Sequence, residues 1–319
     1  MEPLENKYIK LGNTNFEVIK PSRLREGMVL KSGNLYARLG PKASTLEEQI
    51  HTVSLRDRGF PVPEVIDSGP YGEDWWYFTE QSVGEKTFHE IFSKEFESQG
   101  EVLETSYAAY LQVIRQYQQA QLAEPSRSSI SPHEFVADLI PNNRVLPNYA
   151  FFGFEFEPYE QAIKLATERL KNAPVGILQY DLNPFNVLEE GVIDFELVGY
   201  GPIGYDVLMS TRWAGTWFTN YPSRYPMAYS LYNKQIQKCD ELVREIVTSA
   251  HLEDPTRYLE EFLLLKTAWA VSDFDAPQPD WPQDKIAFRH FRAKLLNKAV
   301  MEYLNDTPIS YRDFSVTKI

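Results

Sequence analysis

Over the first quarter of the chain, apolar and polar positions alternate in short runs separated by turn residues. Residues 16–19, 28–31 and 35–39 hold the period of two that lays one face of a strand on a core. Ser32-Gly33-Asn34 between the last two predicts a tight hairpin turn. Residues 44–58 change to helical character. Ser44 or Thr45 is the expected N-cap, and Glu47 and Glu48 are expected in the first turn, where the helix dipole favours anions. Pro61-Val62-Pro63 closes the segment, since proline cannot continue a helix. Residues 64–67 and 75–79 follow as strands around a Gly72-Glu73-Asp74 turn.

After Gly84 the spacing becomes helical. Tyr107, Tyr110, Leu111, Ile114 and Tyr117 recur on one face, as do Tyr159, Ala162, Ile163, Ala166 and Leu170. Residues 125–132, rich in serine and bounded by prolines, read as a loop. A strand-turn-strand passage over 175–195 interrupts the helices. Long helices are expected over 229–250, 258–271 and 286–304, the second opened by Asp254 as N-cap with Pro255 at the first position. No period of ~20 to 50 residues repeats, which argues against solenoids and propellers. The pattern predicts an α+β chain in two lobes: a small antiparallel β lobe over 1–83, and a larger, mainly helical lobe over 84–319.

Composition narrows the partners. The 319 residues contain 43% apolar residues, enough for a packed core. With 45 acidic and 32 basic side chains the net charge is −13, which argues against a nucleic-acid partner. No apolar run approaches the roughly 18 residues of a membrane helix, and no basic-then-apolar leader opens the chain. A cytoplasmic protein with no membrane partner is expected. The single cysteine, Cys239, excludes an internal disulfide and a cysteine metal cluster. The five histidines are scattered, which argues against a hydrolase triad or a zinc hydrolase.

Chemistry concentrates in 176–196. Asp181, Asn186 and Asp194 are short polar side chains set among apolar residues. Val187-Leu188 and Val192-Ile193 read as two strands joined at Glu190-Gly191. Such a hairpin returns Asn186 to within one residue of the level of Asp194. A carboxylate and an amide oxygen side by side suit Mg²⁺, which takes hard oxygen ligands. Asp181, five residues before Asn186 in a loop with Pro184, can reach the same cleft. Phosphoryl transfer needs this layout: one carboxylate on the attacking hydroxyl, an amide and a second carboxylate on the metal.

Asp181-Leu-Asn183-Pro-Phe-Asn186 and Val192-Ile-Asp194-Phe-Glu196 closely resemble the catalytic loop and metal strand of the aminoglycoside phosphotransferases, choline kinases and related small-molecule kinases. Gly201-Pro-Ile-Gly-Tyr-Asp206 resembles a third family segment loosely. The resemblance implies a bilobed, protein-kinase-like fold with Asp181 as catalytic base and Asn186 and Asp194 as metal ligands. It also implies that Asn183 and Asp206 brace the loop. Gln179-Tyr180 departs from the family's His-Gly. Upstream, Arg38 stands where the family places a phosphate-binding Lys or Arg, and a guanidinium fork suits phosphate oxygens. Glu48, thirteen residues before Pro61, is the expected partner of Arg38, with Glu47 the competing choice. By the same resemblance, backbone groups from Glu80 to Ser82 meet the nucleotide base, Tyr36 borders it, and residues 21–27 cover the phosphates without a Gly-x-Gly-x-x-Gly.

For the acceptor no motif exists. Trp213 and Trp217 with Asp273 and Asp275 offer aromatic faces and carboxylates suited to a cationic or sugar-like molecule. The expected activity is Mg²⁺-dependent transfer of the γ-phosphoryl group of ATP, or GTP, to a small-molecule hydroxyl. The alternative is a pseudokinase-like module that binds nucleotide or a partner without turnover. Phosphorylation of protein side chains is disfavoured, since no Ala-Pro-Glu segment follows Asp194.

Overall fold

The alternating N-terminal runs form one antiparallel sheet in the computed structural model, which describes residues 8–21, 27–123, 130–141, 155–216, 229, 231–272 and 282–310. The strands are β1 (Tyr8–Leu11), β2 (Thr14–Pro21), β3 (Met28–Ser32), β4 (Leu35–Pro41), β5 (Val65–Tyr71) and β6 (Trp75–Gln81), in spatial order β1-β2-β3-β4-β6-β5. Leu11, Phe16, Leu30, Ala37 and Leu39 make its buried face. The β3–β4 turn narrows to Gly33-Asn34, with Gly33 at φ +58°, a left-handed conformation that costs glycine little.

Helix α1 (Lys42–Asp57) starts earlier than its sequence suggests. Strand β4 runs straight into it, and Pro41 at φ −54° is the N-cap residue with no side-chain cap. Ser44 therefore caps nothing; its hydroxyl donates back to the Pro41 carbonyl at 3.2 Å. No acid lies in the first turn, so Glu47 and Glu48 sit one turn deeper than expected. The proline supplies the turn geometry that a capping side chain would otherwise supply.

The remaining chain is mainly helical: α2 (Phe88–Gln99), α3 (Glu104–Ala123), α4 (Pro132–Leu139), α5 (Phe156–Arg169), α6 (Tyr205–Thr216), α7 (Asn233–Ser249), α8 (Leu259–Ser272) and α9 (Gln283–Leu304). Helix α3 carries the predicted aromatic stripe, and Tyr107, Tyr110 and Tyr117 are fully buried. Asp254 and Pro255 open a single 3₁₀ turn (Pro255–Tyr258) that leads into α8. Of the elements that were not predicted, two show what packing imposes on the chain. Helix α4 begins inside the stretch read as loop, capped by Ser131 with Glu134 in a reciprocal capping box. Strand β10 (Val198–Pro202) pairs with β7 (Val175–Gln179) although two of its five residues are glycine. At Gly201 a Cβ would stand 2.4 Å from the Phe135 ring, so packing against α4 demands glycine where strand propensity opposes it.

A short hairpin, β8 (Val187–Leu188) and β9 (Gly191–Val192), is tied to the segment before β5 and to the segment after β6. The Val192 N–H donates to the Pro61 carbonyl at 2.7 Å, and the Glu190 N–H to the Val83 carbonyl at 2.8 Å. No described helix is long and apolar enough to cross a membrane.

Candidate active site

Strand alternation carries Arg38 into the site: it lies between buried Ala37 and Leu39 and so projects from the opposite face of β4. Its Nε is 3.6 Å from Glu48 Oε1 and 4.0 Å from Glu80 Oε1. Glu48 belongs to the buried stripe of α1, with Thr45, Thr52 and Leu55. Glu80 lies opposite Tyr36 on β6, two residues along the same face as Phe78, which pairs with Arg38. Burial opposes the charge of Arg38, but the carboxylates of Glu48, Glu80, Asp194 and Glu196 outweigh it and hold the guanidinium above its ordinary pKa. Burial pushes Glu48 up from 4.5 to about 7; Arg38 works against this, and Asp194, Glu196 and Glu80 add to it. Burial likewise raises Glu80.

Asp206 anchors the loop that carries Asp181 and Asn186 through its bond to Gln179. It is buried and accepts from the Tyr117 hydroxyl at 2.7 Å, the Val207 N–H at 2.8 Å, the Gln179 N–H at 3.2 Å and the Gln121 amide at 3.3 Å. Burial pushes its carboxyl up from 3.8 to about 6 in spite of these donors. Above it, Asn183 folds the loop on itself: its Nδ2 donates to the Asp181 carbonyl (2.8 Å) and to Asp181 Oδ1 (3.0 Å), while its Oδ1 accepts from the Phe185 N–H (2.9 Å). The Asn186 Nδ2 donates to the same Asp181 carbonyl at 3.0 Å.

The hairpin then closes with its turn at Glu189-Glu190, one residue before the expected Glu190-Gly191, because Gly191 pairs with Leu188. Val187 faces Val192, and the Ile193 N–H donates to the Asn186 carbonyl at 2.9 Å, so Asn186 and Asp194 are one residue apart in level. Carboxylate oxygens of Glu48, Asp194 and Glu196 lie within 4.8 Å of one another. Such an oxygen-only set is the kind a Mg²⁺ ion takes. A cavity of about 540 Å³ joins both halves of the site. Val29, Ile19, Leu188 and Ile193 supply apolar walls; Tyr36, Arg38, Glu80, Ser82, Asn186 and Asp194 also border it. Asp181 is not among its lining residues; its carbonyl accepts from the amide of Asn186, which is.

Some expectations are altered. The N–H groups of Gln81 and Ser82 already donate to the Glu64 and Asn34 carbonyls at 2.9 Å, so these donors are committed within the lobe. Glu80 presents its side chain to the cavity and to Arg38, a contact the sequence reading did not include. Most of 21–27, read as the phosphate-covering loop, lies outside the described residues. Trp217, Asp273 and Asp275 also lie outside them, and of Trp213 only the backbone, in α6, is described.

Three contributors escaped the sequence reading. Gln179, met there only as a departure from His-Gly, donates through Nε2 to the Ile193 and Asp194 carbonyls. Glu196, the last residue of the Val192-Ile-Asp194-Phe-Glu196 motif, joins Glu48 and Asp194. Lys266, buried on α8, lies 3.7 Å from Asp181 Oδ1. A lone cation inside the apolar stretch of 262–271 was a legible signal, because a buried charge needs a partner somewhere in the fold.

A family model described as the phosphotransferase enzyme family matches residues 9–242. The fold is similar to that of a thermostable mutant of aminoglycoside phosphotransferase APH(4)-Ia, solved as a ternary complex with ADP and hygromycin B. The TM-score is 0.56 at 12% identity, covering 89% of this chain and 93% of that one. A second structure of a thermostable mutant of that phosphotransferase, with AMP-PNP and hygromycin B, gives 0.54 at 13% identity over the same shares. No curated protein sequence matches.

Proposed function

This chain belongs to the phosphotransferase enzyme family, and from that premise we propose that it moves the γ-phosphoryl group of ATP, or GTP, to a hydroxyl of a small molecule. The observation that carries the reading is the meeting of Arg38, Asn186 and Asp194 on one cavity walled by apolar side chains. An apolar slot suits a base, and a cation beside oxygen ligands suits a metal-bound triphosphate.

In this reading Arg38 holds the nucleotide's phosphates with its planar fork, and Glu48 and Glu80 fix the fork's direction. Asn186 and Asp194 hold Mg²⁺, with Glu48 and Glu196 close enough to share in it; when bound, the ion neutralises negative charge on the phosphates. Asp181 orients the acceptor hydroxyl and accepts its proton as the oxygen attacks. Asn183 and Asp206 keep the loop in shape for that task. The acceptor is a small, cationic or sugar-like alcohol, consistent with the chain's net charge of −13.

A second reading, nucleotide binding without turnover, draws on Arg38 being held by two carboxylates and on the committed N–H groups of Gln81 and Ser82. One experiment separates the two. Purified protein is given ATP labelled at the γ position, Mg²⁺ and a panel of amino-sugars and amino-alcohols. Transfer of label by the wild type, lost in Asp194→Asn while that variant still melts cooperatively, supports the kinase. Binding of MgATP with no transfer to any acceptor or to water supports the binding module. Near-normal transfer by Asp194→Asn overturns the metal assignment.

A further inference from the structure

Lys266 is 2% exposed, in the middle of an apolar helix. A buried ammonium is strongly unfavourable unless charge and hydrogen-bond partners replace its water. Its Nζ donates to the Tyr180 carbonyl at 2.8 Å, lies 3.7 Å from Asp181 Oδ1, and stands 3.8 Å from the centroid of the Trp269 ring. Tyr180 and Asp181 are consecutive, so one ammonium grips the backbone and the side chain at the head of the catalytic loop. The Asp181 oxygen facing it is the one that also accepts from Asn183 Nδ2. That oxygen is thus held from two sides, by the loop itself and by a helix far along the chain.

We propose that Lys266 is a positioning residue for phosphoryl transfer: it fixes the Asp181 carboxylate and offsets its charge, so that the carboxylate can stand beside an incoming polyphosphate. The inference rests on the reading of Asp181 given above. Lys266 is too deeply buried to meet substrate, and its effect passes through Asp181. The family model ends at residue 242, so Lys266 belongs to a part of the chain outside the matched segment. A negative nucleotide approaching a negative carboxylate meets repulsion, and a fixed cation behind the carboxylate reduces it without reorganisation at the moment of reaction.

The test uses the full chain, MgATP and ADP release, with water as acceptor if the panel yields nothing better. Lys266→Met, Lys266→Gln and Lys266→Arg are compared with the wild type well below every melting midpoint. The expected order of kcat is Lys, then Arg, then Gln and Met together. The neutral variants should lose about tenfold or more in kcat while KM for MgATP stays within about threefold. Gln keeps a donor for the Tyr180 carbonyl but no charge, so its loss isolates the charge; it also carries the test if Met does not fold. Should kcat follow the melting midpoints instead of the charge, or fall only together with nucleotide affinity, Lys266 is merely structural and the proposal is overturned. Unchanged kcat in the neutral variants overturns it as well. A wild type that releases no ADP from MgATP sinks the reading of the site, and this inference with it.

Discussion

Gln179 holds Asp194 by the backbone: its Nε2 donates to the Asp194 carbonyl at 2.6 Å and to the Ile193 carbonyl at 2.8 Å. Asp194 sits at φ +68°, a left-handed conformation that most non-glycine residues avoid. The amide orientation is unambiguous, because a flipped Gln179 would aim its oxygen at two carbonyls. Gln179→Ala removes both donors from a buried site, at a cost of about 1–3 kcal/mol. The variant should melt lower and need more Mg²⁺ for half-maximal turnover, while Gln179→His recovers part of both. A Mg²⁺ requirement unaltered in Gln179→Ala would show that the left-handed turn holds itself.

Asp181 is a test of the division of labour. Asp181→Asn keeps an oxygen for Asn183 and a similar volume but cannot take a proton. Turnover should fall by about 10²-fold or more, with the dissociation constant of MgATP nearly unchanged by calorimetry. Loss of nucleotide binding in that variant would place Asp181 with the phosphates instead of the acceptor.

Glu48 makes stability depend on pH. Its carboxyl titrates at about 7 in the folded chain, against 4.5 ordinarily, so between these values the folded state holds a proton that the unfolded state has released. The associated stability is fully present below pH 4.5 and is lost as pH rises through about 7. In EDTA, the melting midpoint of the wild type should therefore fall relative to Glu48→Gln across that interval and run parallel to it above. Calorimetric scans from acid to neutral pH check this; a constant gap would mean that Glu48 is ionised throughout.

Gly191, the first residue of β9, has a packing role. A Cβ there would lie 2.5 Å from the Pro61 carbonyl oxygen, a backbone atom that cannot swing aside. Gly191→Ala should cost about 1–3 kcal/mol in chemical denaturation and weaken the Val192-to-Pro61 hydrogen bond. An alanine variant as stable as the wild type would show that the hairpin is free to shift.

The sheet was legible because local patterns coincide with tertiary needs. Alternation from Phe16 to Leu39 encodes one buried face, and Gly33-Asn34 encodes the turn. The helix start at Lys42 was not legible in the same way: Ser44 is a good cap by composition, but the direct run of β4 into Pro41 set the boundary first. Helix α4 and strand β10 were missed for a shared reason. Strand β10 is held by its pairing with β7, and α4 packs on it through Phe135 against Gly201; contacts between residues so far apart leave no local period.

For the site, the chain alone determined that Asn186 and Asp194 lie within one residue of the same level, since a tight two-strand hairpin permits little else, and that Arg38 leaves the core face of its strand. Folding in three dimensions decided the rest. It set Glu80 beside Arg38, gathered Glu48 and Glu196 at Asp194, and brought Lys266 from a distant helix to Asp181. The physical reason is range. Hydrogen-bonded turns and strand alternation act over a few neighbouring residues and can be read in order. Charges are matched by whichever partner packing delivers, and that pairing exists only once the lobes and helices have met.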